Sequence, residues 1–270
     1  MKKFFPGLLI LTLILAGFAA KDRMRSVPNE SFSSGEVLKY KVHYGVITAA
    51  EAVIDVAPTL HRVNNRPCYR ATVTGKTNSS FDLFIRIRDT WQSYIDTAAI
   101  VPQRSYRNIE EGNYRKRETV DFNHFANTAF VEKKKKNKAK ETEDYKVPDN
   151  VQDIVSGFYY LRTLDYDRMR IGDKINMQGF FDEENFSMQV TYKGREVVST
   201  KAGDIRAIKL VPRMPDNKMF KGENAITVYL SDDKNKIPVL IQAEMVVGAV
   251  KVNLYEYKNL KHRSEILAQN

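Results

Sequence analysis

The sequence has only one cysteine, Cys68, among 270 residues. An intramolecular disulfide is therefore excluded, and the fold must rest on a large packed core, which a chain of this length can form. Cys68 opens an alternating run that continues to Val73. Because no histidine or metal-binding partner lies nearby in the sequence, this pattern favours a thiol buried in a strand over a reactive one.

The sequence also lacks the common signatures of catalysis. It has no Gly-x-Ser-x-Gly elbow, no His-Glu-x-x-His pair, no phosphate-binding loop and no glycine-rich dinucleotide turn. Neighbouring carboxylates such as Glu183 and Glu184 would point to opposite faces of a strand, which makes them poor catalytic pairs. We therefore expect no enzymatic activity, no catalytic residue, no metal and no cofactor. A cluster of His43 or His124 with carboxylates would revive an enzymatic interpretation.

Long apolar runs are absent except at the N-terminus. Lys2 and Lys3 precede an apolar stretch from Leu8 to Leu15, and Gly17 and Ala19 are small residues spaced as at a cleavage site. The stretch is shorter than the ~20 residues of a spanning helix. Residues 1–19 are therefore predicted to be a signal peptide that is cleaved after Ala19. We expect an exported protein of the periplasm or outer envelope, without a lipid anchor through cysteine.

The charge is strongly unbalanced toward the positive. The formal net charge is +10, and removal of Lys2 and Lys3 with the signal peptide leaves +8. An exported protein meets little nucleic acid, so no nucleic-acid partner is expected. A basic exterior favours an anionic membrane surface as partner, although solubility alone is the simpler explanation. The basic run over residues 133–140 is interpreted as a solvated hairpin tip or a charged sheet edge, with a docking site for an anionic partner as the less favoured alternative.

Alternation with a period of two is the main pattern that is present, and it is clearest near the C-terminus. Residues 225–257 read as strand, turn, strand, turn, strand, with Asp232 to Lys236 supplying the first turn. Such a meander must bury its apolar face against more sheet. The sequence therefore predicts a mainly β fold: a strongly curved antiparallel sheet or partly closed β-barrel with one packed α-helix.

The predicted domain organisation is simple. We expect residues 20–34 to form a flexible lead-in, residues 35–258 a single β-rich domain, and residues 259–270 a C-terminal tail. Within the domain, one long strand is predicted from Phe81 to Ile95, a hairpin turn at residues 193–195, and a loop over residues 214–224.

One segment has the spacing of a helix. Apolar residues recur every three or four positions at Val151, Ile154, Val155, Phe158 and Leu161. This spacing predicts a helix over about residues 149–164, with Asp149 as N-cap and Gln152 completing a capping box. Gly157 is unfavourable inside a helix by about 1 kcal/mol relative to alanine, which suggests close contact with the sheet there.

Aromatic residues cluster around this helix in the sequence. The candidate ligand-contacting residues are Trp91, Phe158, Tyr159, Phe181 and Phe186. These rings could line an apolar chamber between the helix and a curved sheet, as in proteins that bind lipids or other apolar ligands. The alternative is that they fill the core outright.

Three segments together resemble an exported bacterial family, the domain-of-unknown-function family 3108. They are Gly35 to Tyr40 (GEVLKY) with the following Tyr44-Gly45, Asp153 to Arg162 (DIVSGFYYLR), and Tyr229 to Val239. The resemblance extends from about Gly35 to Leu254 and implies a β-rich envelope protein, with no established activity and no functional residues. At Ala49 and Ala50 the chain departs from the family pattern, which has a glycine there.

The leading hypothesis from the sequence is a non-enzymatic envelope protein that binds an apolar or amphipathic ligand, such as a lipid, in the concavity of the sheet. The alternative is a structural or protein-interaction module of the envelope that uses the loop at residues 214–224 and exposed strand edges. The sequence indicates neither the ligand nor the oligomeric state.

Overall fold

The structure is a computed structural model that describes residues 24–200, 203–213 and 221–264. The predicted signal peptide, residues 1–19, lies outside the described residues, as do residues 214–220 of the predicted loop and residues 265–270 of the predicted tail.

Fifteen strands of the described chain join in one antiparallel sheet. They are β1 (Val37–Tyr44), β2 (Ile47–Val56), β3 (His61–Val63), β4 (Arg66–Thr77), β5 (Arg88–Asp96), β6 (Pro102–Glu111), β7 (Tyr114–Asn123), β8 (Thr128–Lys135), β9 (Lys140–Lys146), β10 (Lys174–Phe181), β11 (Glu184–Thr200), β12 (Gly203–Pro212), β13 (Ile226–Ser231), β14 (Pro238–Glu244) and β15 (Ala249–Lys258).

The order of the strands shows that the sheet is continuous but is not closed by hydrogen bonds. It runs β10-β11-β12-β13-β14-β15-β1-β2-β4-β5-β6-β7-β8-β9, with β3 paired to β4 beside this path. The chain's middle strands, β9 and β10, are thus the two edges. Yet Asp182, in the turn after β10, contacts Arg107 of β6 and Lys116 of β7. The sheet is therefore strongly curved, and the prediction of a curved antiparallel sheet with one helix is confirmed.

The single α-helix of the described residues, α1 (Ile154–Arg162), is shorter than the predicted span of about 149–164. Its N-cap is Asp153 rather than Asp149, and Ser156 rather than Gln152 completes the capping box. Gln152 stays extended because it pairs with β10: its N–H donates to the Gln178 carbonyl (2.8 Å) and its carbonyl accepts from the Phe180 N–H (2.9 Å). The residues before the helix thus cover part of the β10 edge.

Two predicted strand boundaries are wrong. The segment from Phe81 to Ile95 is a short 3-10 helix, Phe81–Leu83, followed by β5 from Arg88. The predicted hairpin turn at residues 193–195 is instead part of β11, which continues through a register shift between Tyr192 and Arg195. In the first place a predicted strand is replaced by a turn that side-chain hydrogen bonds of Asn78 and Asp82 hold. In the second place a predicted turn is overridden by pairing with β12.

The predicted lead-in packs on the domain over its described residues, 24–34. Phe32 is fully buried, with its ring centroid 4.6 Å from that of Tyr159. Arg25 donates from Nε to the Ala99 carbonyl (2.9 Å). The start of the tail is held in the same way, since the His262 N–H donates to Asn235 Oδ1 (2.9 Å).

The basic run lies at one edge of the sheet. It covers the end of β8, the turn to β9 and the start of β9, whose residues are almost all exposed. A row of charged side chains at such an edge discourages pairing with another sheet. Among the described residues, none of the helices has the length and apolar character needed to span a bilayer.

Candidate functional site

Helix α1 lies on the concave side of the curved sheet and divides the space there into two apolar compartments. Ile154 and Phe158 line both compartments, so they form the partition between them. Ile154 is 43% exposed although it belongs to the only α-helix of the described chain. The concavity is therefore not filled by the helix that occupies it.

The first compartment has a volume of about 240 Å³ and lies between α1 and strands β10 to β13. Its wall is almost entirely apolar, and its lining includes Leu161, Met177, Phe186, Met188, Val190, Leu210, Pro212, Ile226 and Val228. These side chains alternate along their strands with residues on the opposite face, as the pleat requires.

The second compartment has a volume of about 300 Å³ and lies on the other side of α1. Apart from the helix residues, it is lined by Ile54 of β2, Val73 of β4, Trp91 of β5 and Ile241 of β14. Ile54 and Val73 are direct partners in the β2–β4 register, as are Val73 and Trp91 in the β4–β5 register. Three neighbouring strands thus present one apolar row to the helix.

The five predicted ligand-contacting residues all lie at this concavity. Phe158 lines both compartments, Phe186 lines the first, and Trp91 and Tyr159 line the second. Phe181 lies farther along, stacked on Trp91 with centroids 5.7 Å apart, and Arg107 lies 4.5 Å from the Phe181 centroid. The curvature of the sheet brings these rings together from β5, α1, β10 and β11.

Gly179 of β10 allows Phe186 to lie across the neighbouring strand. The two residues are register partners, and a Cβ added at Gly179 would lie only 2.2 Å from Phe186 Cζ. A glycine in a strand interior often marks such a close approach. This glycine sets the position of one wall of the first compartment.

The sequence did not identify the aliphatic part of the lining. Ile54, Val73 and Ile241 were visible only as members of alternating strands. Alternation separates the two faces of a strand but does not tell which strands curve around the helix. Their assignment to the site required the strand order.

A polar cluster closes one side of the concavity, where the two ends of the sheet meet. Glu118 accepts from Arg107 Nε (2.6 Å) and lies 2.7 Å from Lys116 Nζ, and all three side chains are buried. Asp182 accepts from both cations at distances of 2.6 and 2.7 Å. These hydrogen bonds, that from Lys116 first, lower the pKa of Asp182 to about 2. Lys133 and Tyr145 hold Glu183 in the same turn.

Three buried polar atoms of the lining residues have no hydrogen-bond partner in the described structure: Tyr159 Oη, Gln152 Oε1 and Asp153 Oδ2. Burial raises the pKa of Tyr159 well above its usual value, so its hydroxyl stays protonated. A buried polar atom without a partner costs free energy. These atoms are the polar groups that an otherwise apolar chamber offers.

The residues that would revive a catalytic interpretation lie apart. His43 Nδ1 is 3.2 Å from the Thr48 hydroxyl, and His124 Nε2 is 2.7 Å from the Pro102 carbonyl. Burial lowers the pKa of His124. Burial also raises the pKa of Cys68 to about 12. Within the described ranges, no group of three or more potential metal ligands occurs.

Comparison with solved structures finds a similar fold in a bacterial protein. The structure of a β-barrel-like protein of the domain of unknown function DUF1849 from Brucella abortus matches with a TM-score of 0.52 at 9% identity, over 87% of this chain and 99% of that one. This likeness shows the fold alone.

Two further solved structures match more distantly. One is a candidate lipoprotein from Parabacteroides distasonis, with a TM-score of 0.34 at 13% identity over 87% of this chain and 100% of that one. The other is a candidate exported protein with a YmcC-like fold from Bacteroides fragilis, with a TM-score of 0.35 at 9% identity over 88% and 100% of the two chains.

No curated protein matches this sequence. The model of the family described as "Protein of unknown function (DUF3108)" matches residues 39–255, which include nearly the whole described sheet and all of α1. The chain therefore belongs to the DUF3108 family.

Proposed function

We propose that this is a non-enzymatic exported envelope protein that binds an apolar or amphipathic ligand, such as a lipid, in the concavity of its sheet. The observation that supports this most is the pair of apolar compartments on the two sides of Phe158. Ligand sites are typically concave, mostly apolar and roughly 300–1,000 Å³ in volume. The two compartments, of about 240 and 300 Å³, together fall in that range.

The chemistry of the lining supports a ligand with a long apolar part. Apolar side chains from eight strands and the helix face the space without filling it. An apolar cavity of ~150 Å³ already admits a small aromatic molecule. A ligand that covers this surface regains the transfer free energy of the exposed apolar area. The unpartnered oxygens of Tyr159, Gln152 and Asp153 suit a ligand with few polar groups.

The predicted signal peptide at residues 1–19 supports export. An envelope location would place the chamber in a compartment where amphipathic molecules must cross an aqueous layer. A carrier or a sensor of such molecules needs an interior of this kind and no catalytic group.

The first experiment uses the chain from residue 20 onward, which contains every described residue. Binding of a fluorescent fatty acid is titrated to this protein and to two variants of β2, Ile54→Trp and Val53→Trp. Ile54 lines the second compartment, and Val53, its neighbour in the strand, points to the opposite face. The indole at position 54 would occupy ligand space. We therefore expect the affinity of the Ile54→Trp variant for the probe to fall by about tenfold, which corresponds to ~1.4 kcal/mol.

Val53→Trp is the matched control and should bind the probe as the unsubstituted chain does. Equal affinities of the two variants, or no saturable binding by any of the three proteins, would contradict the proposal. The second outcome would favour the alternative, a structural or protein-interaction module.

A further inference from the structure

One end of the sheet presents a series of neighbouring turns whose apolar side chains point into solvent. In an antiparallel sheet, alternate connections lie at the same end. The turns that follow β1, β4, β6, β8 and β14 therefore share one end. We call these five turns the turn rim; it comprises residues 44–47, 78–87, 111–114, 135–140 and 245–249.

Hydrogen bonds connect these turns into a continuous structure. The Tyr44 hydroxyl donates to the Val247 carbonyl (2.9 Å), which joins the β1–β2 and β14–β15 turns. The Asn78 N–H donates to the Ala49 carbonyl (3.0 Å), which joins the β4–β5 turn to β2. The remaining links are Gly112 N–H to the Arg86 carbonyl (2.8 Å) and Lys136 N–H to the Arg115 carbonyl (3.0 Å).

The most exposed large apolar side chains of the described chain lie on this rim. Val46 is 98% exposed, Leu83 86% and Phe84 84%. Other exposed apolar residues of the rim are Tyr44, Ile47, Ile85, Tyr114, Val246 and Val247. Single exposed apolar residues are common on soluble proteins, but a contiguous set marks an interaction site.

Side-chain hydrogen bonds order the β4–β5 turn in a conformation that exposes its apolar residues to solvent. The Phe81 N–H donates to Asn78 Oδ1 (2.9 Å), which starts the 3-10 helix, and Arg88 Nη2 donates to Asp82 Oδ2 (2.6 Å) at its base. Leu83 and Phe84 thus project from an ordered turn. A hydrogen-bonded turn that exposes two large apolar side chains is poorly explained by solubility.

Basic residues stand beside these apolar tips. Lys134, Lys136 and Lys138 are exposed, and no salt bridge to them occurs in the described part of the chain. Arg86 is exposed within the β4–β5 turn itself. Surfaces that bind other proteins are depleted in lysine. Apolar and aromatic side chains flanked by lysines are instead typical of surfaces that lie in the interface of an anionic bilayer.

We propose that the turn rim docks on the surface of a bilayer that contains anionic lipids. Val46, Leu83 and Phe84 would enter the boundary between headgroups and acyl chains, and the lysines of the β8–β9 turn would contact the headgroup phosphates. The first compartment extends toward this end of the sheet, since its lining includes Pro212 at the end of β12 and Ile226 at the start of β13. Membrane docking does not itself require a bound ligand, so it can be tested separately.

The test measures partition of the chain from residue 20 onward onto vesicles by co-sedimentation. One set of vesicles contains phosphatidylcholine with about a third phosphatidylglycerol, and the other contains phosphatidylcholine alone. The apolar contribution is tested by Phe84→Ser. Its matched control is Phe125→Ser, because Phe125 is also exposed (61%) but lies in the β7–β8 turn at the opposite end of the sheet. The charge contribution is tested by Lys134→Gln/Lys136→Gln/Lys138→Gln against Lys174→Gln/Lys193→Gln, whose exposed lysines lie away from the rim.

We expect partition onto the anionic vesicles that weakens as salt is raised. Phe84→Ser and the triple lysine variant should each reduce it by about tenfold, and both controls should retain it. Equal loss in Phe84→Ser and Phe125→Ser, or no partition of the unsubstituted chain at low salt, would overturn the proposal. A dimer that becomes a monomer on Phe84→Ser, without vesicle binding, would show that a second copy covers the rim and would also overturn it.

The titration with the fluorescent fatty acid separates this proposal from the proposed function. If the unsubstituted chain binds the probe but not the vesicles, only membrane docking fails. If it binds the vesicles but not the probe, only the ligand chamber fails.

Discussion

Arg162 and Glu36 form a bidentate ion pair in which both side chains are completely buried. Nη1 donates to Oε1 at 2.6 Å and Nη2 to Oε2 at 2.7 Å. Arg162 also donates to the carbonyls of Asn235 and Ser31 (3.0 and 3.2 Å for Nη2). The pair therefore joins the C-terminal end of α1 to the start of β1, the β13–β14 turn and the lead-in. It fixes the helix within the concavity.

This pair predicts the effect of removing its acidic member. Glu36→Gln leaves the guanidinium buried without a counter-charge, which typically destabilises a protein by about 3–5 kcal/mol. The free energy of unfolding from urea titration measures this. Glu256→Gln is the matched control, because Glu256 pairs with Lys39 (2.9 Å) on a partly exposed surface where such pairs contribute little to stability. A loss below about 1 kcal/mol for Glu36→Gln would contradict the assigned role.

Because Asp182 joins the two ends of the sheet, we expect the free energy of unfolding to depend on its ionisation and therefore on pH. Its pKa lies near 2 in the folded chain against 3.8 ordinarily, so its stabilising contribution is present above about pH 4 and is lost as the pH falls toward 2. Asp182→Asn should therefore lower the free energy of unfolding at pH 6, and its difference from the unsubstituted chain should shrink below pH 4. Glu184→Gln is the control: Glu184 is the first residue of β11 and has no salt bridge in the described structure, so its substitution should change the free energy of unfolding little at pH 6. A difference for Asp182→Asn that is independent of pH would contradict this account.

We expect a side chain added at Gly179 to disturb the packing of the first compartment. Gly179→Ala must displace the Phe186 ring, which at 2.2 Å overlaps the added methyl, and overpacking of this kind costs about 1–3 kcal/mol. Thermal unfolding measures the loss, and the fluorescent probe measures the change in the chamber. Gly75→Ala in β4 is the control, because no atom lies within 4 Å of the added Cβ. Equal stability of the two variants would show that Phe186 is not held against β10.

We expect the Cys68 thiol to be unreactive in the folded protein. Burial in β4 raises its pKa to about 12, so little thiolate exists at pH 8. Folded protein should resist a thiol-specific reagent for hours at pH 8 and react fully in denaturant. Rapid stoichiometric labelling of the folded chain would place the thiol in a more open environment.

The sequence predicts much of the fold because the alternation of apolar residues is a local signal. The strands of the C-terminal meander were readable from residues such as Ile226, Val228 and Leu230, and the helix from the spacing of Ile154, Phe158 and Leu161. The N-terminus of the helix was placed too early, since the pairing of Gln152 with β10 is a long-range contact. Long-range pairing also kept β11 extended past Gly194.

Only the aromatic residues of the candidate site could be named from the sequence. Aromatic residues stand out in a sequence, so Trp91, Phe158 and Phe186 are candidates from the sequence alone, whereas Ile54 and Ile241 resemble any strand residue. The buried pair of Arg162 and Glu36 could not be predicted at all, because its members are separated by 126 residues. The three segments that carry the family resemblance meet at this pair, since Arg162 of the second segment donates to Glu36 of the first and to the Asn235 carbonyl of the third.

The central claim is that an alkyl chain occupies the space beside Phe158. The most direct measurement is a crystal structure of the chain from residue 20 onward grown with a bromine-labelled fatty acid, with the bromine located by anomalous scattering. We expect a bromine peak between α1 and the sheet, in van der Waals contact with lining residues such as Phe158. Bromine found only on the outer surface, with both compartments closed by side chains, would contradict it.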